Sequence, residues 1–131
     1  MPDGMLPIVG TRDRQDLGRI GEEAALADYT ARGYRSVARN WRCTLGEIDL
    51  VVARGSLLVV CEVKARRTGA FGGPFDAVTA AKQRKLRALA GAFLQAMPRD
   101  GWTGAFDLRF DVASVTVASG RPVIHVFEDA F

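Results

Sequence analysis

The sequence is poor in the residues that staple or anchor small proteins. Of 131 residues only two are cysteines, Cys43 and Cys61, and a single histidine stands at His125. The cysteines lie far apart, without a CxxC pair and with no histidine close in sequence. Neither a zinc site nor a disulfide framework is indicated, and both are read as reduced thiols. Nothing resembles a nucleophilic Ser or Cys triad. Long apolar runs are also lacking. The stretch from Met5 to Val9 is broken by Pro7 and is too short for a signal-peptide core, and no run approaches membrane-spanning length. A cytoplasmic protein with no membrane partner is expected. No repeat, low-complexity tract or internal linker divides the chain. A single domain over residues 12–131, behind a flexible tail at residues 1–11 that holds two prolines and two glycines, fits this length.

What the chain does have is positive charge concentrated in one place. The formal net charge is only +3, yet residues 62–87 carry seven basic and two acidic side chains, against eight and eight in residues 1–61. Such a concentration marks either a polyanion-binding surface or a solvated helix face. The spacing predicts a helix from about Asp13 to Arg32, with Leu17, Ile20, Ala24, Ala27 and Ala31 on its apolar face and Gly33 as its stop. Gly18, Glu22, Ala25 and Tyr29 form a second stripe whose small residues permit close approach. Two strand-like runs follow, Glu47 to Arg54 and Leu57 to Lys64, with Gly55-Ser56 between them as a hairpin turn. The second run is apolar at every position from Leu57 to Cys61, as in a central strand covered on both faces. "TGAFGGPF" reads as a loop. A basic helix is predicted from Thr79, its N-cap, to Met97, with Leu86, Leu89, Ala90, Phe93 and Met97 buried and Pro98 as its stop. Lys82, Arg84, Lys85 and Arg87 crowd its first turns, where positive charge opposes the helix dipole. Strands at about Leu108 to Val117 and Val123 to Phe127 complete the chain.

The charged end of the central strand carries the chemistry. With Gly55 and Ser56 as the turn, Asp49 falls opposite Glu62 and Glu47 opposite Lys64. A turn at Arg54 and Gly55 would instead make Asp49 and Glu62 diagonal neighbours on the same face. Two carboxylates about 5 Å apart across a strand pair repel, and a cation between them removes that cost. Hard divalent ions such as Mg²⁺ or Mn²⁺ prefer oxygen ligands of this kind. Lys64 projects from the same face as Glu62, where its ammonium can hold a water or offset charge on a phosphoryl group. Metal-dependent phosphodiester chemistry is the reading these residues favour; the plain alternative is an exposed strand end whose charges only pair with one another.

Asp49 followed thirteen residues later by "EVK" resembles the D…(D/E)xK core of the PD-(D/E)XK nucleases. More closely, "GRIGEEAA", "RNWRCTLGEIDLVV", "VCEVKARR", "FGGPFDAVTAAKQRKL" and "RFDVASV" resemble, in order, segments of the YraN-like family of bacterial proteins, which is similar in fold to Holliday junction resolvases. The resemblance runs from about residue 18 to the final "DAF". It implies a restriction-endonuclease-like α/β fold, a mixed central sheet flanked by helices. It also implies Asp49 and Glu62 as metal ligands, the Val63 carbonyl as a candidate further ligand, and Lys64 as the catalytic lysine. Helical periodicity does not choose between Glu22 and Glu23 as an additional carboxylate; the resemblance favours Glu22, as catalytic residue and metal ligand. Gln83 resembles the polar residue that related nucleases carry on the helix after the ExK strand. Ile48 stands where those nucleases have a proline before the acid.

Nucleic acid, most readily DNA, is the partner expected, held through Arg66, Arg67, Lys82, Gln83, Arg84, Lys85, Arg87 and Arg42. Arg66 and Arg67 either clamp phosphates or keep the strand end soluble. Arg42 and Glu47 either line the site or pair with each other. His125 reads as a structural histidine, and Trp41 and Trp102 as core residues. Asp107, Arg109 and Asp111 alternate as a solvated face would. The expectation is an Mg²⁺- or Mn²⁺-dependent endonuclease acting on DNA, in particular branched or junction DNA. The alternative is a nucleic-acid-binding accessory module in recombination or repair that cleaves nothing, and an RNA substrate is a third reading. A junction-cutting enzyme would be expected to act as a homodimer.

Overall fold

A computed structural model describes residues 6–68, 78–97 and 106–131. The elements run α1 (Leu6–Ala31), β1 (Arg35–Cys43), β2 (Gly46–Arg54), β3 (Leu57–Arg67), α2 (Ala80–Ala96), β4 (Asp107–Ala118) and β5 (Arg121–Phe127). The strands form one five-stranded sheet in the order β1-β2-β3-β4-β5. All neighbours are antiparallel except β3 and β4, which are parallel and joined through α2. The sheet is therefore mixed, with β3 in its middle as its apolar run predicts. Among the described residues, no helix is long and apolar enough to cross a membrane.

Helix α1 begins at Leu6 rather than Asp13, so the segment expected as a tail is helical from Leu6 onward. Pro7 sits in the first turn, where a missing N–H leaves no intrahelical bond unmade. The helix ends as predicted, at Gly33. The Gly33 N–H donates to the Thr30 carbonyl and the Tyr34 N–H to the Tyr29 carbonyl, both at 3.0 Å. This double bond pattern needs a left-handed residue, and Gly33 supplies it at φ +92°. The rings of Tyr29 and Tyr34 close the motif edge to face at 5.2 Å.

The buried face of α1 is not the one that apolar content selects. Ala27 and Ala31 are exposed, whereas Gly21, Ala25 and Tyr29 are buried against the sheet. A Cβ on Gly21 would lie 2.8 Å from Ala65 Cβ and 3.2 Å from Val63 Cγ1, so glycine here sets how closely the helix backbone meets β3. The small-residue stripe packs inward, and it brings Glu22 with it.

Two apolar layers result. On the α2 side, Val51, Ala53, Leu58, Val60 and Val112 meet Leu86, Leu89, Ala90, Phe93 and Met97 of the predicted helix stripe. Thr79 caps that helix as expected, its hydroxyl accepting from the Lys82 N–H at 3.1 Å. On the α1 side, Leu50, Val52, Val59, Cys61 and Ala113 meet Ala25, Tyr29 and Tyr34. The loop expected over "TGAFGGPF" lies, from Gly69 on, outside the described residues, as does Trp102.

Two expectations fail on the sheet. Strand β1 has no counterpart in the predicted elements, because an edge strand with the burial pattern of Arg35–Cys43 carries no clean apolar alternation. Asp111 is fully buried, although its alternation with Asp107 and Arg109 suggests a solvated face. The Tyr29 hydroxyl donates to its Oδ2 at 2.6 Å, Arg109 Nε donates to its Oδ1 at 2.8 Å, and the Asp129 N–H donates to Oδ1 at 3.0 Å. With its acceptors filled in this way, a buried carboxylate is tolerated.

Candidate functional site

The β2–β3 hairpin has the predicted register, Arg54 opposite Leu57 and Leu50 opposite Cys61. One more step would pair Asp49 with Glu62, but the ladder stops at Leu50. In its place the Asp49 carboxylate takes the strand's role: its Oδ2 accepts the Val63 N–H at 2.9 Å. A residue of an extended strand sends its N–H and C=O to the same side. The Val63 carbonyl therefore also faces the opened edge.

Asp49 is also where β2 changes face. Ile48 packs in the α2-side core and Leu50 in the α1-side core, although residues two apart on a regular strand share a face. The strand beside it breaks at the same level. Trp41 pairs with Ile48 and Arg39 with Leu50, which leaves Asn40 opposite Asp49, and Asn40 has φ +49°. Asn is among the few non-glycine residues that tolerate this region, and residues held there cluster at functional sites. The Asn40 amide donates to Glu22 Oε2 at 2.9 Å.

The breaks gather three carboxylates. Glu62 faces the α2 side with its side chain 13% exposed, and Lys82 Nζ lies 3.2 Å from its Oε2. Glu22 approaches from α1. Asp49 stands between, and burial, reinforced by the Glu62 and Glu22 charges, pushes its carboxyl up to about 7; the Val63 N–H works in the other direction. Near neutral pH a proton on Asp49 thus offsets charge that a cation could offset instead.

Among the described residues, no three acidic, histidine or cysteine side chains are gathered tightly enough to hold a metal as they stand. Each carboxylate has another partner: Lys82 for Glu62, the Asn40 amide for Glu22 and the Val63 N–H for Asp49. The donor set nevertheless fits a hard divalent cation. It is all oxygen and partly buried, with Lys82 the cation now paired to Glu62. Asp49 and Glu62 would hold the ion, with the Val63 carbonyl at the opened edge and Glu22 approaching from α1.

The remaining predicted residues divide by position. Lys64 follows Glu62 by two on β3 and is half-buried, on the α2 face by alternation. Arg66 shares that parity, is half-buried and is itself engaged. Arg67 faces α1, where its guanidinium pairs with Asp13. Lys85 lies along Gly46, at the β1–β2 turn beside the site. Arg84 is exposed. The other two basic-helix candidates point elsewhere: the Gln83 amide donates to the Val78 carbonyl at 2.9 Å, and Arg87 lies over the Phe110 and Phe131 rings at 5.1 and 5.5 Å. Arg42 and Glu47 do pair, at 2.8 Å. Trp41 packs edge to face on Phe93 at 5.3 Å, and exposed His125 stacks on Phe127 at 4.2 Å. Cys61 is a buried thiol pushed up to about 12 by that burial, hence inert. Asn40 is the site residue that pattern reading misses, since a single left-handed residue leaves no periodic mark.

The profile of the Uncharacterised protein family UPF0102 matches residues 21–115, a span that holds Glu22, Asp49, Glu62 and Lys64. A UPF0102 protein of Renibacterium salmoninarum is 52% identical over 110 residues, covering 84% of this chain and 90% of its own. One from Clavibacter michiganensis is 46% identical over 118 residues, covering 88% and 96%, and one from Mycolicibacterium vanbaalenii is 41% identical over 114 residues, covering 87% and 91%. With the motifs, the profile and these relatives in agreement over most of its length, the chain belongs to the UPF0102 family, the YraN-like family its sequence resembles.

Proposed function

We propose that this chain is a divalent-metal-dependent endonuclease that hydrolyses phosphodiester bonds in DNA, branched or junction DNA above all, on a restriction-endonuclease-like sheet of the Holliday junction resolvase type. The observation that carries this reading is Asp49, turned into the open end of the β2–β3 ladder between Glu62 and Glu22 and made costly there by burial. Mg²⁺ or Mn²⁺ in such a site supplies Lewis-acid polarisation of a phosphate and lowers the pKa of bound water. The chain's own residues do the rest. Asp49 and Glu62 bind the ion and Glu22 adds its carboxylate. Lys64 holds the attacking water or offsets charge on the phosphoryl oxygens. Lys82, which pairs with Glu62, would be within reach of a phosphate oxygen at such a site.

One observation favours a second reading. Lys82 and Asn40 already satisfy Glu62 and Glu22, as they would in a module that binds nucleic acid and cleaves nothing. A substrate panel separates the two: duplex, flap, four-way-junction and single-stranded DNA, with RNA, each incubated with Mg²⁺ and Mn²⁺. Endonuclease activity requires cleavage by the wild type that falls by roughly 10²-fold or more in Glu62→Ala and Lys64→Ala, with binding retained. Binding without cleavage by the wild type selects the accessory module.

A further inference from the structure

A second cluster of arginines lies outside the segment where the sequence concentrates its charge. A groove of about 490 Å³ runs between α1 and β1, where four arginines, Arg14 and Arg19 from the helix and Arg39 and Arg42 from the strand, outnumber three carboxylates, Glu22, Glu23 and the Arg42 partner Glu47. Of the three site carboxylates it is Glu22 that lines the groove. Its assembly depends on the break at Asn40. Three residues apart on a regular strand, Arg39 and Arg42 would face opposite sides of the sheet. With Asn40 at φ +49°, both reach the same groove.

The chemistry of the lining is specific. Guanidinium groups present planar pairs of donors that match phosphate oxygens. Arg42 is held by Glu47 at 2.8 Å and Arg19 by Asp16 at 3.7 Å, but their side chains are 76% and 60% exposed. Pairs of that kind contribute at most about 1 kcal/mol and exchange readily for another anion. Arg14 and Arg39 are exposed and form no ion pair among the described residues. None of the lining residues is aromatic, so the groove offers nothing on which bases could stack. It is suited to a chain of phosphates and indifferent to sequence.

We infer that the α1–β1 groove is a phosphodiester-backbone site, which holds the sugar–phosphate chain of a nucleic acid on the α1 face and leads it to Glu22. The inference rests on the nuclease reading for the kind of polyanion, and on nothing in that reading about cleavage. The groove lies across the sheet from Lys82 and Lys85, so a bound strand would be gripped on both sides of the opened ladder.

Anisotropy of a fluorescent DNA duplex, measured in Ca²⁺ over a series of salt concentrations, tests this. The double variant Arg14→Ala/Arg39→Ala is compared with the wild type and with Arg121→Ala, which removes an exposed charge from the far edge strand. Thermal melts confirm that each is folded. Loss of two phosphate contacts is expected to weaken binding about tenfold or more at low salt and to reduce the slope of log K against log salt by about 2. Arg121→Ala is expected to change neither. An unchanged affinity and slope in the double variant overturns the groove and leaves the carboxylate site standing. Groove-dependent binding by a wild type that cleaves no substrate with Mg²⁺ or Mn²⁺ supports the groove and overturns hydrolysis. A wild type that binds no DNA overturns both.

Discussion

Asp49 owes its place to a hydrogen bond that a regular sheet would give to a carbonyl. Its carboxylate takes the Val63 N–H, which leaves it partly buried near Glu62 and Glu22 with its pKa raised from 3.8 to about 7. Between those two values the folded protein holds a proton that the unfolded chain has released. The free energy of unfolding of the metal-free protein therefore falls as pH rises from about 4 to about 7, and is flat in this contribution above that. At about 1.4 kcal/mol per unit, the carboxyl accounts for at most about 4 kcal/mol. Thermal melts in a chelator across this range are expected to show the decline, and Asp49→Asn to flatten it; a wild-type stability that rises through the same window would contradict the shift. The hairpin register up to Leu50 opposite Cys61 was readable because strand periodicity and a two-residue turn fix which residues meet; the end of the ladder at Asp49 was not, because β2 changes face there. Asn40 was not, since its conformation depends on the strand break beside it. Asp111 was misread because the partners that satisfy it, Tyr29 and Asp129, are distant in sequence.

Glycines in the two helices separate packing from propensity. Gly21 abuts β3 and sits next to Glu22, whereas nothing lies within 4 Å of a Cβ placed on Gly91 in α2. Gly21→Val is expected to lower stability by about 1–3 kcal/mol through overpacking, and to reduce cleavage as α1 carries Glu22 away from Asp49. Gly91→Ala is expected to raise stability by up to about 1 kcal/mol, because an exposed helix interior favours alanine. Chemical denaturation measures both, and equal effects of the same sign would refute the close approach of α1 to the sheet. At this scale the hairpin, the basic helix, its cap and the two late strands followed from local patterns. The inward face of α1 did not, because close approach selects Gly21 and Ala25 over the more apolar positions.

Across the molecule, one polar network ties α1 to β4 and to the C-terminal residues. Tyr29 and Arg109 bind Asp111, Arg109 Nη2 donates to the Tyr34 hydroxyl at 3.2 Å, and Arg32 pairs with Glu128 at 2.7 Å. Arg109 is 17% exposed, so Asp111→Ala strands a largely buried guanidinium and is expected to cost about 3–5 kcal/mol, whereas Tyr29→Phe is expected to cost about 1–2 kcal/mol. Nearly equal losses in thermal unfolding would contradict Asp111 as the hub. By holding α1 against the sheet, the network keeps Glu22 facing the opened ladder, so the carboxylate site belongs to the whole fold rather than to one hairpin. Calorimetric titration of the wild type and Asp49→Asn with Mn²⁺ above pH 7 asks whether that opened ladder binds a divalent ion. Saturable binding by the wild type is expected, weakening about tenfold per pH unit below pH 7 as the ion competes with a proton, and lost in Asp49→Asn. No saturable binding, or binding of equal strength in the variant, would contradict a metal site at these carboxylates.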